Sequence, residues 1–205
     1  MPYRPEHKQE TRKRIVHSAR RLFNRNGFAA VSIDEIMAGA GLTRGGFYNH
    51  FATKEELFKE AALWVLTDNP ARHWPEVEWD ETARGEKLAR MIVNAYLSRT
   101  HYEDVDSSCP LIVLPTDMAR GGPELKAVGR SLVQAMAGVF SAALEPNGQS
   151  ARARGLALTA LCVGGMVLAR AVDDEALADD IREAAHALAL ETSGWGEVGT
   201  KSRAA

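Results

Sequence analysis

Apolar positions along this 205-residue chain recur at helical spacing, and no stretch alternates with the period of a strand. From Lys8 to Asn26, Ile15, Ala19, Leu22 and Phe23 share one face while Arg12, Lys13, Arg14, Arg20, Arg21 and Arg25 lie elsewhere, which predicts a helix ended by Gly27. Ser32 and Glu35 fit a capping box: the serine oxygen accepts from the N–H three residues on, and the glutamate reaches back. A short helix therefore starts at Ile33 and turns Ile36 and Met37 inward, with Gly39 and Gly41 marking the turn that follows. Thr43 caps a second short helix, which buries Phe47 and Phe51 and leaves Arg44, Tyr48, Asn49 and His50 as polar groups. Phe28 and Val31 plug the core among these three helices.

Downstream, Thr53 and Glu56 repeat the capping pattern ahead of Leu57, Phe58, Ala61, Ala62 and Val65. Pro70 and Pro75 break the pattern into a loop over 68–81, whose Trp74 and Trp79 are expected to bury against the body. A helix is predicted from Thr82 to about Tyr102. Another opens at Pro110 with Ser108 or Cys109 as cap, is kinked or split at Pro115, and closes at Gly121-Gly122. Pro123 opens the next, stopped by Pro146-Asn147-Gly148. Residues 150–172 form a long helix rich in glycine and alanine, and Asp174 starts the last one. The reading is all-α, about nine helices, in two domains: a head over 8–67 with its motif at 32–51, and a body over 68–192. Residues 193–205 read as a loose tail.

The overall charge of -2 argues against a nucleic-acid partner only if it is spread evenly, and it is not. Residues 1–60 hold 11 Lys and Arg against 7 Asp and Glu, while the remainder is acidic. A basic end on an acidic body suits phosphate contact by that end alone. Cys109 and Cys162, 53 positions apart, make neither a disulfide framework nor a zinc spacing, so a reducing, cytoplasmic setting is expected. No apolar run is read as approaching the ~20 residues needed to span a bilayer, and the start of the chain has no signal-peptide core. No membrane partner is expected.

Two short helices joined by a glycine turn, the second polar and basic at its start, describe a DNA-binding helix-turn-helix. The segment alone also fits a surface helical hairpin. The flanks add IVHSARRLFNRNGFAAVSIDEI, AGLTRGGFYNHF and KEELF, and through these the chain resembles the TetR-type transcriptional regulators from about Thr11 to Leu66. It departs from their usual tract at Gly46, where Thr, Ser or Ala is more common. A second adjacent glycine costs roughly 1 kcal/mol of helix propensity and removes a side chain that can touch DNA.

The resemblance implies a dimeric, ligand-responsive regulator, most often a repressor, bound to a pseudo-palindromic operator in double-stranded DNA and dimerised through its last two long helices. The DNA-facing residues are then Ser32, Thr43, Arg44, Gly45, Tyr48, Asn49, His50 and Lys54. Arg44 and Asn49 suit base reading, since arginine pairs with guanine and asparagine with adenine through two bonds each. Tyr48 and His50 suit the backbone, and Ser32, Thr43 and Lys54 suit phosphates, Lys54 beside the free N–H groups of a helix start.

For a small-molecule inducer, Met91, Tyr96, Met118, Met136, Phe140 and Met166 supply adaptable apolar side chains, although such a stripe also fits plain core. Cys109 stands at a helix start, which favours thiolate, while Asp104 and Asp106 oppose it. The resemblance adds that several such regulators sense reactive compounds through a cysteine in their ligand-binding half. The competing class is a helical ligand-binding or enzymatic protein with an unused helix-turn-helix. No catalytic motif, P-loop, dinucleotide fingerprint or zinc spacing is found, so no catalytic residue, metal or cofactor is assigned. His101, Asp104, Asp106 and Cys109 crowd one loop, with the irregular spacing of a solvated helix end.

Overall fold

The computed structural model describes residues 5–144 and 149–195, and among them it is all-α. The Pro146-Asn147-Gly148 stop and the tail from residue 196 lie outside the described residues. Helices are α1 (Pro5–Ala30), α2 (Ile33–Gly39), α3 (Lys54–Leu63), α4 (Gly85–Tyr96), α5 (Arg99–Glu103), α6 (Pro110–Val113), α7 (Pro115–Arg120), α8 (Pro123–Ala143), α9 (Gln149–Ala171) and α10 (Glu175–Ser193). A 3-10 helix at Arg44–Asn49 follows α2.

The chain gathers into two compact units. The first holds the chain up to Pro70 and then Glu103–Ala135; the second holds Ala71–Tyr102 and the chain from Met136. In the first unit α1 buries Ile15, Val16, Ala19 and Phe23 against Ile36, Met37, Phe47, Leu57 and Phe58. Phe23, Phe28 and Phe58 form a mutual cluster with ring centroids 5.0 to 5.7 Å apart, a spacing at which edge and tilted contacts add to the burial. The predicted split at Pro115 is present: α6 ends at Val113 and α7 starts at Pro115, since proline has no N–H to give the preceding turn.

The second unit is built on α9 and α10, which bury Leu158, Cys162, Met166 and Ala169 on one and Ala178, Ala185 and Ala189 on the other. The helix expected over 82–102 is interrupted. It starts at Gly85 and breaks at Leu97, where side chains take up the carbonyls the break frees: Arg182 donates to Leu97 O at 2.9 Å, and His101 Nδ1 lies 2.7 Å from Tyr96 O. The breaks at Leu97 and Leu114 account for helices beyond the nine expected.

Trp74 is buried on His101, with ring centroids 4.9 Å apart, and Trp79 packs on the same cluster. Trp195, which the sequence reading left in a loose tail, is instead buried beside Phe140. Gly194 closes α10 in the left-handed conformation, and this folds Trp195 N–H back to Leu190 O at 2.9 Å. The expectation that no stretch reaches spanning length is also corrected. Residues Ser150–Ala171 are long and apolar enough to cross a membrane by length and composition, with 39% of the most apolar window buried within the chain.

Candidate nucleic-acid interface

The first unit presents its motif through local signals that the sequence carries. Ser32 Oγ accepts from Glu35 N at 3.2 Å, and Glu35 Oε2 accepts from Ser32 N at 2.7 Å, so the box that starts α2 is complete. The bonds from Ser32 hold the Glu35 carboxyl below its ordinary value. Gly41 takes φ 68° in the turn, a conformation side chains with Cβ rarely adopt, and Leu42 N then reaches Met37 O at 2.8 Å. Two α1 side chains hold the end of α2: Ser18 Oγ donates to Ile36 O at 2.8 Å, and Arg14 donates to Ala40 O.

The segment after the turn is a single run of 3-10 helix, not the α-helix expected from Arg44 to His50. Thr43 occupies the cap position with no side-chain capping bond, and Gly45-Gly46 withholds helix propensity from the first turn. The segment is anchored from below. Phe47 and Phe51 are buried with centroids 5.8 Å apart, and the Arg12 guanidinium lies 3.9 Å above the Phe51 ring. Arg12 also donates to His50 O and to the Glu60 carboxylate, tying α1, the reading segment and α3 together.

On the outside, Arg44, Gly45, Tyr48 and Asn49 are exposed, Tyr48 by 61%. Ser32 and Thr43 are exposed at their cap positions. Arg44 is ion-paired with Asp34 of α2, a partner the sequence reading missed. Two of the expected DNA-facing residues are turned inward. His50 is half-buried with Nδ1 enclosed and unpartnered, and its pKa is lowered by desolvation and then by Lys8 and Arg12. The Lys54 ammonium lies 4.4 Å above the Phe28 ring, and partial burial lowers its pKa. The start of α3 is capped from within: Thr53 Oγ1 accepts from Glu56 N at 3.1 Å, and Glu56 Oε2 accepts from Ala52 N at 2.7 Å.

The residues expected around an inducer divide between the two units. Cys109 and Met118 belong to the first unit; Met91, Tyr96, Met136, Phe140 and Met166 belong to the second. Phe140 and Met166 have no exposed surface. Met91 and Val77 line a cleft of about 820 Å³ in the second unit, beside polar residues that include Glu76, Lys87, Arg90, Asn94 and Arg99. Cys109 caps α6, a helix of four residues. Burial pushes the Cys162 thiol up to about 12, which keeps it protonated.

The residues that crowd the 101–109 loop, read from the sequence as a solvated helix end, engage partners of their own. His101 is in the second unit against Tyr96 O, Asp106 pairs with Arg25, and Asp104 accepts from Ser107 N at 3.0 Å. Among the described residues no group of three or more His, Cys, Asp or Glu side chains is arranged to hold a metal ion.

Comparison with known proteins bears on this head directly. Residues 15–61 match the family described as bacterial regulatory proteins, tetR family. Over 61 residues, 30% of this chain and 27% of the relative, the sequence is 44% identical to the HTH-type transcriptional regulator AcrR of Shigella flexneri. The chain thus spans about a quarter of that relative's length. Over 163 residues it is 24% identical to the HTH-type transcriptional regulator YxaF of Bacillus subtilis, covering 78% of this chain and 84% of the relative. A solved structure of a TetR transcriptional regulator from Legionella pneumophila superposes with a TM-score of 0.70 at 19% identity, covering 88% of this chain and 95% of that one, and speaks for the fold. With its helix-turn-helix matched in sequence and its helical architecture matched in space, the chain carries, over residues 15–61, the region that defines the tetR family of bacterial regulatory proteins, on a fold shared with a solved TetR regulator.

Proposed function

We propose that this protein is a sequence-specific DNA-binding transcriptional regulator, a repressor released from its operator by a small molecule, and not an enzyme. The observation that carries the reading is the exposed set Arg44, Gly45, Tyr48 and Asn49, held over buried Phe47 and Phe51. A polar surface mounted on a rigid aromatic base suits the major groove, where Arg44 and Asn49 read bases and Ser32, Thr43 and Tyr48 meet the backbone. His50 and Lys54 take a supporting part, His50 through its carbonyl to Arg12 and Lys54 through Phe28.

One reading segment is small, so two heads on a pseudo-palindrome are the natural source of affinity. The second unit offers the surface for a homodimer. Leu156 and Leu168 on α9, with Leu177 and Leu188 on α10, are exposed, and Ala153, Ala157 and Ala160 of α9 and Ala184 of α10 lie exposed among them. Pairing α9 and α10 with their copies buries these residues in a four-helix interface and gives the apolar α9 a role in a protein in the cytoplasm. For the inducer, the cleft lined by Met91 is the place we assign, and Cys109 is the candidate for a reactive compound.

A gel shift on the DNA flanking the protein's own gene, repeated at rising salt, tests the reading. A discrete complex that outlasts nonspecific binding supports it. Weak, salt-labile association with any duplex favours a helical ligand-binding or enzymatic protein with an unused helix-turn-helix.

A further inference from the structure

At Gly27 the backbone of α1 leaves helical geometry, with φ 79° and ψ 167°, and the chain turns a corner toward α2. Beyond that corner the amide of Phe28 has lost the acceptor that a continuous helix would supply four residues earlier. Asp117, on the first turn of α7, takes its place: Phe28 N–H donates to Asp117 Oδ1 at 3.1 Å. Glycine is required beside it, because a Cβ at residue 27 would sit 3.3 Å from Asp117 Oδ2 on a backbone that L side chains rarely adopt. Phe28 in turn carries the Lys54 ammonium on its ring and packs against Phe23 and Phe58.

The segment bearing Asp117 is pinned a second time to the same end of α1. Asn24 Nδ2 donates to both Asp106 O and Ser108 O, each at 3.0 Å, and Arg25 pairs with the Asp106 carboxylate. Between the pins, Pro110 and Leu114 face Phe23 and Phe58 across a water-sized gap. Residues 106–117 therefore strap the end of α1 at two points, one before the corner and one on it.

We infer that Asp117 is a positioning residue for DNA reading: as a cap supplied from α7 it fixes the corner between α1 and α2, and so the angle at which Arg44–Asn49 is presented. The inference rests on the DNA-binding reading above. It makes the 106–117 strap the element through which a change elsewhere in the molecule reaches the head, since drawing Asp117 off Phe28 frees the corner without touching the reading residues.

Asp117→Ala and Asp117→Asn separate this from a general structural role, because asparagine keeps the Oδ1 acceptor. Affinities are measured for the operator and for a scrambled duplex of equal length, together with hydrogen exchange at the Phe28 amide. Asp117→Ala should lose about tenfold in operator affinity with scrambled-duplex binding unchanged, while Asp117→Asn stays within about threefold of wild type. Equal operator affinity for Asp117→Ala and wild type overturns the inference, as does an equal loss in both variants. If Asp117→Ala does not fold, the wild-type Phe28 amide decides with Asp117→Asn: exchange as fast as that of an exposed loop amide contradicts the cap. A wild-type protein that does not discriminate the operator defeats the DNA-binding reading instead, and the Phe28 amide still reports on the cap.

Discussion

Arg44 is the exposed cation at the start of the reading segment, and Asp34 holds it in an ion pair. In the proposed complex with DNA the guanidinium has to exchange that carboxylate for a guanine edge or a phosphate, so Asp34 would compete with the duplex. An exposed pair of this kind contributes little to stability, and Asp34→Asn should leave the melting temperature nearly unchanged while raising operator affinity by up to about fivefold. Filter binding at fixed salt checks it, and a drop in affinity would show that Asp34 orients Arg44 rather than restraining it.

His50 gives the head a pH dependence whose sign follows from its enclosure. Desolvation, then Lys8 and Arg12, hold its folded pKa below the ordinary 6.5, so the unfolded chain binds the proton more readily. Its contribution is complete above the unfolded value and is lost as pH falls from there through the lower folded value. His186, lowered by desolvation, adds to the same trend in the second unit. Denaturant midpoints at pH 7.5 and 5.5 should therefore show lower stability in acid, and His50→Gln should narrow the difference; an unchanged difference would remove His50 from the account.

Among the elements, those set by neighbours in sequence were legible. Ser32 with Glu35, Thr53 with Glu56 and Asp174 ahead of Leu177 are bonds between residues three apart, so residue type and spacing alone name them. The split at Pro115 follows from proline's missing N–H. The reading segment was legible as an element but not as a 3-10 helix, because its form depends on Gly45-Gly46 together with the Phe47 and Phe51 anchors. Gly46 does not need to be glycine for its backbone, which has no positive φ, and a Cβ there meets Met37 Cε at an ordinary 3.4 Å. Gly46→Ala should raise stability by up to about 1 kcal/mol, read as a higher denaturant midpoint. A lower midpoint would mean that the Met37 contact is tighter than the geometry indicates.

At the scale of the molecule, what the sequence could not carry are the ties between distant residues. Phe28 and Asp117 are 89 apart, Arg182 and Leu97 are 85 apart, and Arg12 and Glu60 are 48 apart. No local pattern marks them, and they fix the corner of α1, the break after α4 and the base of the reading segment. The methionine and aromatic stripe stayed open between pocket and core for a related reason: spacing marks which side chains face inward, not whether an inward face meets a cavity or another helix. The exposed leucines of α9 and α10 became visible only with the packing of the second unit. Leu168, 59% exposed, is the probe of choice for the proposed dimer: Leu168→Arg should sediment as a folded monomer at micromolar concentration and bind a half-site only weakly, and an unchanged dimer would place the interface elsewhere.

The most direct measurement is equilibrium binding of the wild-type protein to a footprinted duplex from the flank of its own gene and to a scrambled duplex of the same length, both at physiological salt. The account predicts a preference of at least about 10³ for the first, with two protected half-sites one helical turn of DNA apart or a multiple of it. Equal affinity for the two duplexes would contradict it.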